Sequence, residues 1–180
     1  MASELFESVK IPKERVAVLI GSEGKVKRKL EKLASVVVEV DSKTGNVEVG
    51  GKGNTENFFE AVNAVKAIGR GFSPENAFGL IGQDNVLEVI NMRGIIGGGE
   101  KALQTKRGRI IGREGKAREQ IEKATGTKIS VFGKTVSIVG QAEDVETAKK
   151  AVEMLLEGAR HQSVTGFLER EKRETKKFTI

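Results

Sequence analysis

Apolar residues run through the same succession of periods twice along this chain. Val26, Leu30 and Leu33 recur at i, i+4 and i+7, which predicts an amphipathic helix with those three on its core stripe. Ala117, Ile121 and Ala124 repeat the spacing ninety-one residues later. The period then falls to two, through Val36, Val38 and Val40 in one copy and Thr127, Ile129 and Val131 in the other. Alternating β-branched residues predict a strand. Turn residues follow, Asp41 to Gly45 and the shorter Gly133-Lys134, and then return strands carrying Val47 and Val49 or Val136 and Ile138. Each copy closes on a second helical stripe, Phe58, Val62, Val65 and Ile68 or Val145, Ala148, Val152 and Leu155. Upstream, strand candidates at 5–11 and 86–90 lead into helix candidates at 14–20 and about 101–111. Both units therefore read strand, helix, helix, strand, strand, helix. That is an α+β class, each unit a three-stranded antiparallel sheet packed by three helices. The boundaries read as 1–72 and 85–162, with a linker 73–84 and a helical tail 163–180. In the linker, Ser73 as N-cap and Pro74 at the first helical position predict a short helix.

The two helices at the head of each unit are separated by a glycine-framed loop. It reads Ile20-Gly21-Ser22-Glu23-Gly24-Lys25 in the first copy and Ile111-Gly112-Arg113-Glu114-Gly115-Lys116 in the second. Glycine permits positive φ and a close approach of the backbone, and the N–H groups at the start of the next helix carry partial positive charge. Such a loop suits a phosphate. A net charge of +6 and a pI of about 9.5 lean toward an anionic partner. The charge is concentrated: Lys101, Lys106, Arg107, Arg109, Arg113, Lys116 and Arg118 surround the second loop, with Glu114 the one acid in that span. The first copy offers Lys25 and Arg28, but its cations mix with Glu23 and Glu31, and Ser22 stands where the second copy has Arg113. The second loop is therefore expected to be the dominant site and the first auxiliary or protein-facing. Lys27, Lys29, Lys123, Lys149, Lys150 and the mixed charges of the tail read as solvated faces.

Composition removes several classes. The chain has no Cys, which excludes disulfides and thiolate metal sites and fits a reducing cytoplasm. His161 is the only histidine and reads as a surface or cap residue, and Asp41, Asp84 and Asp144 are scattered as turn or cap residues. No catalytic role, cofactor or metal is expected. Tyr and Trp are absent, which argues against broad aromatic platforms for base stacking. No apolar run is long enough for a membrane helix, and Met1-Ala2-Ser3-Glu4 resembles no secretory signal. Gly94 to Gly99 fits neither a dinucleotide fingerprint nor a Walker loop and reads as a flexible loop.

A glycine loop between two helices, followed by a hairpin and a helix, resembles the KH domain in its type I order. The run Lys106 to Lys116 and its continuation Ile121 to Ile129 is similar to the archaeal two-KH pre-ribosomal-RNA processing family, counterparts of the eukaryotic partner of the Nob endonuclease. The resemblance implies single-stranded RNA near the 3′ end of the small-subunit rRNA as ligand. It also implies a maturation endonuclease, or another ribosome-assembly or translation factor, as a neighbour. It places Gly112, Arg113, Glu114, Gly115 and Lys116, and in the first unit Gly21, Ser22, Glu23, Gly24 and Lys25, against the RNA backbone. Ile110, Ile121 and Ile129 are expected to line a groove for bases. In the eukaryotic members the first unit has lost its glycine loop; here it is intact. The alternatives are a KH cofactor of an RNA-degrading complex, a translation regulator, or a protein-interaction scaffold.

Overall fold

A computed structural model describes residues 5–51 and 57–178, with side chains through Glu174. The first unit runs β1 (Phe6–Lys10), α1 (Lys13–Ile20), α2 (Lys25–Ala34), β2 (Val36–Asp41), β3 (Asn46–Gly51) and α3 (Phe58–Gly69). Its strands lie antiparallel in the order β1-β3-β2, which leaves the first hairpin strand at the edge. Alternation decides which face is covered. Val38 pairs with Val49 and Val40 with Val47, and Val36, Val38, Val47 and Val49 are buried on the helix side. Opposite them, α3 presents buried Phe58, Val62, Val65 and Ile68, the stripe read from the sequence. The hairpin turn is fixed by Asp41, whose carboxylate accepts from the Lys43 N–H at 2.8 Å and the Thr44 hydroxyl at 2.7 Å. The Thr44 hydroxyl and then the Lys43 N–H hold that carboxyl below the usual carboxylate range.

The second unit repeats this plan as β4 (Asn85–Asn91), α5 (Met92–Ile96), α6 (Glu100–Ile111), α7 (Lys116–Thr125), β5 (Lys128–Phe132), β6 (Thr135–Gln141) and α8 (Ala142–Glu157), with sheet order β4-β6-β5. Equivalent backbone bonds tie the end of the first strand to the hairpin turn in both units: the Ile11 N–H donates to the Gly45 carbonyl and the Met92 N–H to the Lys134 carbonyl, each at 2.9 Å. The element order and topology are those of two tandem type I KH domains. The chain divides into two compact units between Leu87 and Glu88. The short helix α4 (Pro74–Phe78) packs on α3, and its N-cap Ser73 accepts from the Asn76 N–H at 3.4 Å. Arg15 fastens α1 to the end of α3, donating to the carbonyls of Ile68 at 2.8 Å and Phe72 at 2.6 Å.

Three expectations need correction. Leu33 is 45% exposed, and Ala34 takes the buried place, so the stripe of α2 follows i, i+4, i+8 as Val26, Leu30 and Ala34. Gly94 to Gly99 is only partly a loop, because Asn91 accepts from the Arg93 N–H and starts the short helix α5, which buries Met92. The tail is more than a solvated helix. The helix α9 (His161–Phe178) buries Val164 and Leu168 in the second core and packs on α7 and α8. Among the described residues no helix is long and apolar enough to cross a membrane.

Removing the Leu168 side chain to Ala should destabilise the protein by about 2–4 kcal/mol, the usual cost of a buried leucine. An unchanged urea midpoint would show that α9 is not docked.

Candidate nucleic-acid interface

The two loops fold alike to within a few degrees. Gly21 sits at φ 71°, ψ 174° and Gly112 at φ 73°, ψ 176°, a region that essentially only glycine enters. A Cβ on Gly112 would lie 2.6 Å from the Ala117 Cβ, and one on Gly21 would lie 2.4 Å from Val26. Gly24 and Gly115 are left-handed at φ 74° and 77°, where a side chain is strained but fits in space at Gly115. Glu23 and Glu114 between them also adopt positive φ, at 52° and 54°. In the second loop the Gly112 N–H is spent on the Gly108 carbonyl and the Gly115 N–H on the Gly112 carbonyl, while those of Arg113 and Glu114 have no acceptor among the described residues. Two unpaired amides on an exposed turn form an anion-binding concavity.

The side chains around the loops differ in what they already hold. In the second unit Lys101, Lys106, Arg107 and Arg113 have no hydrogen-bond or ion-pair partner among the described residues, and Lys101 and Arg113 are exposed. Lys116 is paired with Glu114 at 3.4 Å, but both side chains are almost three-quarters exposed, so the pair is weak and open to competition. Arg118 faces Glu122 at 4.0 Å. Arg109 is different: it donates to the Ala159 carbonyl, and the ring of His161 bonds the Arg109 carbonyl at 2.9 Å. Arg109 thus ties α6 to the corner before α9, and His161 is part of that tie.

The first unit consumes its cations. Arg28 donates to the Glu23 carbonyl and lies 3.0 Å from where a Gly24 Cβ would stand, so it covers the face of its own loop. Glu119 occupies the matching place in the second copy and turns toward Lys123 at 3.7 Å. Lys25 pairs with Glu23 at 3.6 Å, and Lys29 lies over the Phe78 ring. Arg15, the counterpart of Lys106, is committed to the end of α3.

The three isoleucines expected in a base groove are core residues. Ile110, Ile121 and Ile129 are 0%, 1% and 4% exposed, and all three belong to the packed interior of the second unit. Their burial fixes the two helices and the edge strand from beneath, and no base can touch them without unpacking that core. What faces the open edge instead is polar and went unnoticed in the sequence. Glu31 accepts from the Val38 N–H at 2.9 Å, and Glu122 accepts from the Ile129 N–H at 2.7 Å. Each carboxylate stands seven residues before its strand partner, and the pair matches across the repeat; that coincidence was the available signal.

Comparison with known proteins follows the same lines. Residues 86–173 match the family model described as a eukaryotic-type KH domain, KH-domain type I. A KH domain-containing protein of Methanocaldococcus jannaschii is 45% identical over 175 residues, covering 96% of this chain and 76% of that protein. The pre-rRNA-processing protein PNO1 of Chaetomium thermophilum is 32% identical over 99 residues, 53% of this chain and 38% of that longer protein. A chain in the crystal structure of the a/eIF2alpha–aDim2p–rRNA complex from Pyrococcus horikoshii superposes with a TM-score of 0.90 at 44% identity, covering 95% of this chain and 96% of that one.

The loop geometry predicts unequal costs for its two glycines. Gly115→Ala should cost about 1–2 kcal/mol, the left-handed penalty alone. Gly112→Ala should cost clearly more, because strain and a collision with Ala117 add. Urea unfolding of both variants decides it, and equal losses would contradict the assignment.

Proposed function

The chain belongs to the family of archaeal tandem KH-domain proteins related to the PNO1 pre-rRNA-processing proteins, and on that membership we propose that it binds single-stranded RNA in small-subunit rRNA maturation. The ligand is the 3′ region of the small-subunit rRNA, and the second unit is the main reader. The protein acts by binding, in the cytoplasm, and catalyses nothing itself. Among the described residues no group of three or more His, Cys, Asp or Glu comes together to hold a metal ion. The working units are 1–72 and 85–162, joined by 73–84, with 163–180 serving the second.

The observation that carries this reading is the contrast in charge partners. Lys101, Lys106, Arg107 and Arg113 stand without partners among the described residues around the second loop, whereas Arg15, Lys27, Arg28 and Lys29 are engaged within the first unit; the exposed loop pairs Lys25–Glu23 and Lys116–Glu114 are alike and do not distinguish the copies. A KH loop clamps about four nucleotides by their backbone. On the second loop the unpaired amides of Arg113 and Glu114 receive a phosphate, and the Arg113 and Lys116 side chains neutralise its neighbours. Lys106 extends the cationic track along α6. Glu114 helps twice: its backbone supplies an amide, and its side chain yields Lys116 to the incoming phosphate. The first unit keeps its loop shape, but Arg28 covers the face of that loop and Arg15 and Lys27 are committed elsewhere, which suits a protein-facing role. A translation factor of the a/eIF2alpha kind or a maturation nuclease is the class of partner, since a/eIF2alpha appears with rRNA in the complex of the Pyrococcus protein.

Fluorescence anisotropy with RNA from the small-subunit 3′ end tests the assignment. Arg113→Glu combined with Lys106→Glu should weaken binding at least roughly tenfold, and should flatten the slope of log affinity against log salt by roughly 1.4, about 0.7 for each lost phosphate contact. The charge reversal Lys25→Glu beside the first loop should leave both nearly unchanged. If instead Lys25→Glu does the damage, the first unit is the reader.

A further inference from the structure

Only one face of the first unit's sheet is covered by its helices. The valines of β2 and β3 that face inward are buried, and alternation sends their neighbours to the opposite face. There the register sets Phe6, Gly50 and Val37 in one row across the three strands. The row is apolar and open: Phe6 is 62% and Val37 37% exposed, and nothing lies within 4 Å of the place a Gly50 Cβ would take. A glycine on the central strand, walled by a phenylalanine and a valine, leaves a slot that a side chain of another molecule can enter.

The next row on this face carries charge that the fold does not neutralise. Glu39 stands directly opposite Glu48, and like charges so placed destabilise an antiparallel pair. Neither carboxylate has a hydrogen-bond or ion-pair partner among the described residues. Ser8 shares their row, but its hydroxyl donates to Asn46 at 2.9 Å. Lys10 lies one row further, across Asn46 from Asp41, and Asp41 is spent on the hairpin turn. The architecture does not demand two glutamates here, because the second copy pairs Ser130 with Ser137 at the same places. An open depression of about 270 Å³ lies alongside, lined by Glu39, Val40, Asp41, Asn46 and Glu48. The neighbouring strand edge is closed at Val38, whose N–H goes to Glu31 and whose carbonyl accepts from Lys27 at 3.0 Å. A visitor therefore meets side chains on the face, not backbone at the edge.

We propose that this face docks a basic protein segment, which sets an apolar side chain in the slot formed by Phe6, Gly50 and Val37 and an arginine or lysine on Glu39 and Glu48. The inference deepens the protein-facing role given to the first unit, and it does not depend on which unit reads RNA. The two rows are two residues apart along the strands, about 7 Å. Residues i and i+2 of an extended segment span that distance on one side. Charge selects the class of partner: two unpaired carboxylates repel a phosphodiester backbone and attract Lys or Arg. An arginine placed between them turns their mutual repulsion into shared attraction, and its fork matches carboxylate geometry. Because the face lies away from the helices that carry the glycine loop, the segment does not compete for the loop.

The test titrates the full chain with a short synthetic peptide of alternating arginine and leucine, followed by NMR of the backbone amides. Signals of Phe6, Val37, Glu39, Glu48 and Gly50 should move together, and a peptide of alternating glutamate and leucine should move none of them. Glu39→Gln combined with Glu48→Gln should weaken binding of the arginine peptide at least roughly tenfold. The same variant should melt no lower than wild type, because it removes a like-charge pair from the sheet. Equal neutralisation at exposed sites of α8, Glu143→Gln with Glu157→Gln, should leave peptide binding intact. Peptide binding that survives Glu39→Gln with Glu48→Gln overturns the proposal. Self-association of the wild type that disappears in this variant overturns it too, by giving the face to a second copy, and a changed RNA affinity overturns it by giving the face to nucleic acid. Movement confined to Gly21 and Glu23 at the first loop overturns the face while keeping the unit protein-facing, which separates the two failures.

Discussion

Each unit turns its chain between two helices in four residues while leaving backbone N–H groups bare toward solvent, and the rest of the unit is organised around that requirement. The turn depends on Gly21 and Gly112 in a conformation closed to other residues, with the next helix packed so near that no Cβ would fit. Such a turn is useful only if the helices on either side are immobile. Ile110 before the loop and Ile121 after it are sunk in one interior, together with Ile129 from the edge strand and Val152 and Leu155 from the covering helix. The loop is thus presented by a rigid frame, and its amides do not need to be ordered when a phosphate arrives.

Nearly identical backbone with different side-chain commitments distinguishes the two copies of one fold in this chain. Arg28 and Lys27 in the first copy, and Glu119 and Arg118 at the same places in the second, decide whether polar groups near the loop and the sheet edge are spent internally or left available. Local pairing of this kind contributes little stability at exposed positions.

The plan of the molecule was legible because periodicity and glycine placement carry direct physical meaning. The helical stripes of α3 and α8 and the alternation in β2 and β3 came through residue by residue. Where the reading failed, two physical states shared one pattern. An apolar residue at i+7 and one at i+8 fit the same stripe, so spacing points equally to Leu33 and Ala34, and Ala34 holds the position. Isoleucines near cations suit either a groove or a core, and spacing cannot tell the two apart; packing places Ile110, Ile121 and Ile129 in the interior of the second unit. Glycine content hid α5, although Asn91 was a usable cap signal. The carboxylates at Glu31 and Glu122 were invisible for another reason: their partners are backbone amides of a strand edge, which no side-chain pattern announces.

The C-terminal helix has a mechanical consequence. Its start is bonded through His161 to the Arg109 carbonyl on the helix entering the second loop, and Thr165 is bonded to Gln120 at 2.8 Å on the helix leaving it. One segment therefore grips both helices that frame the second glycine loop. A force on this segment is carried to both helices, and so to the loop between them, from a distance.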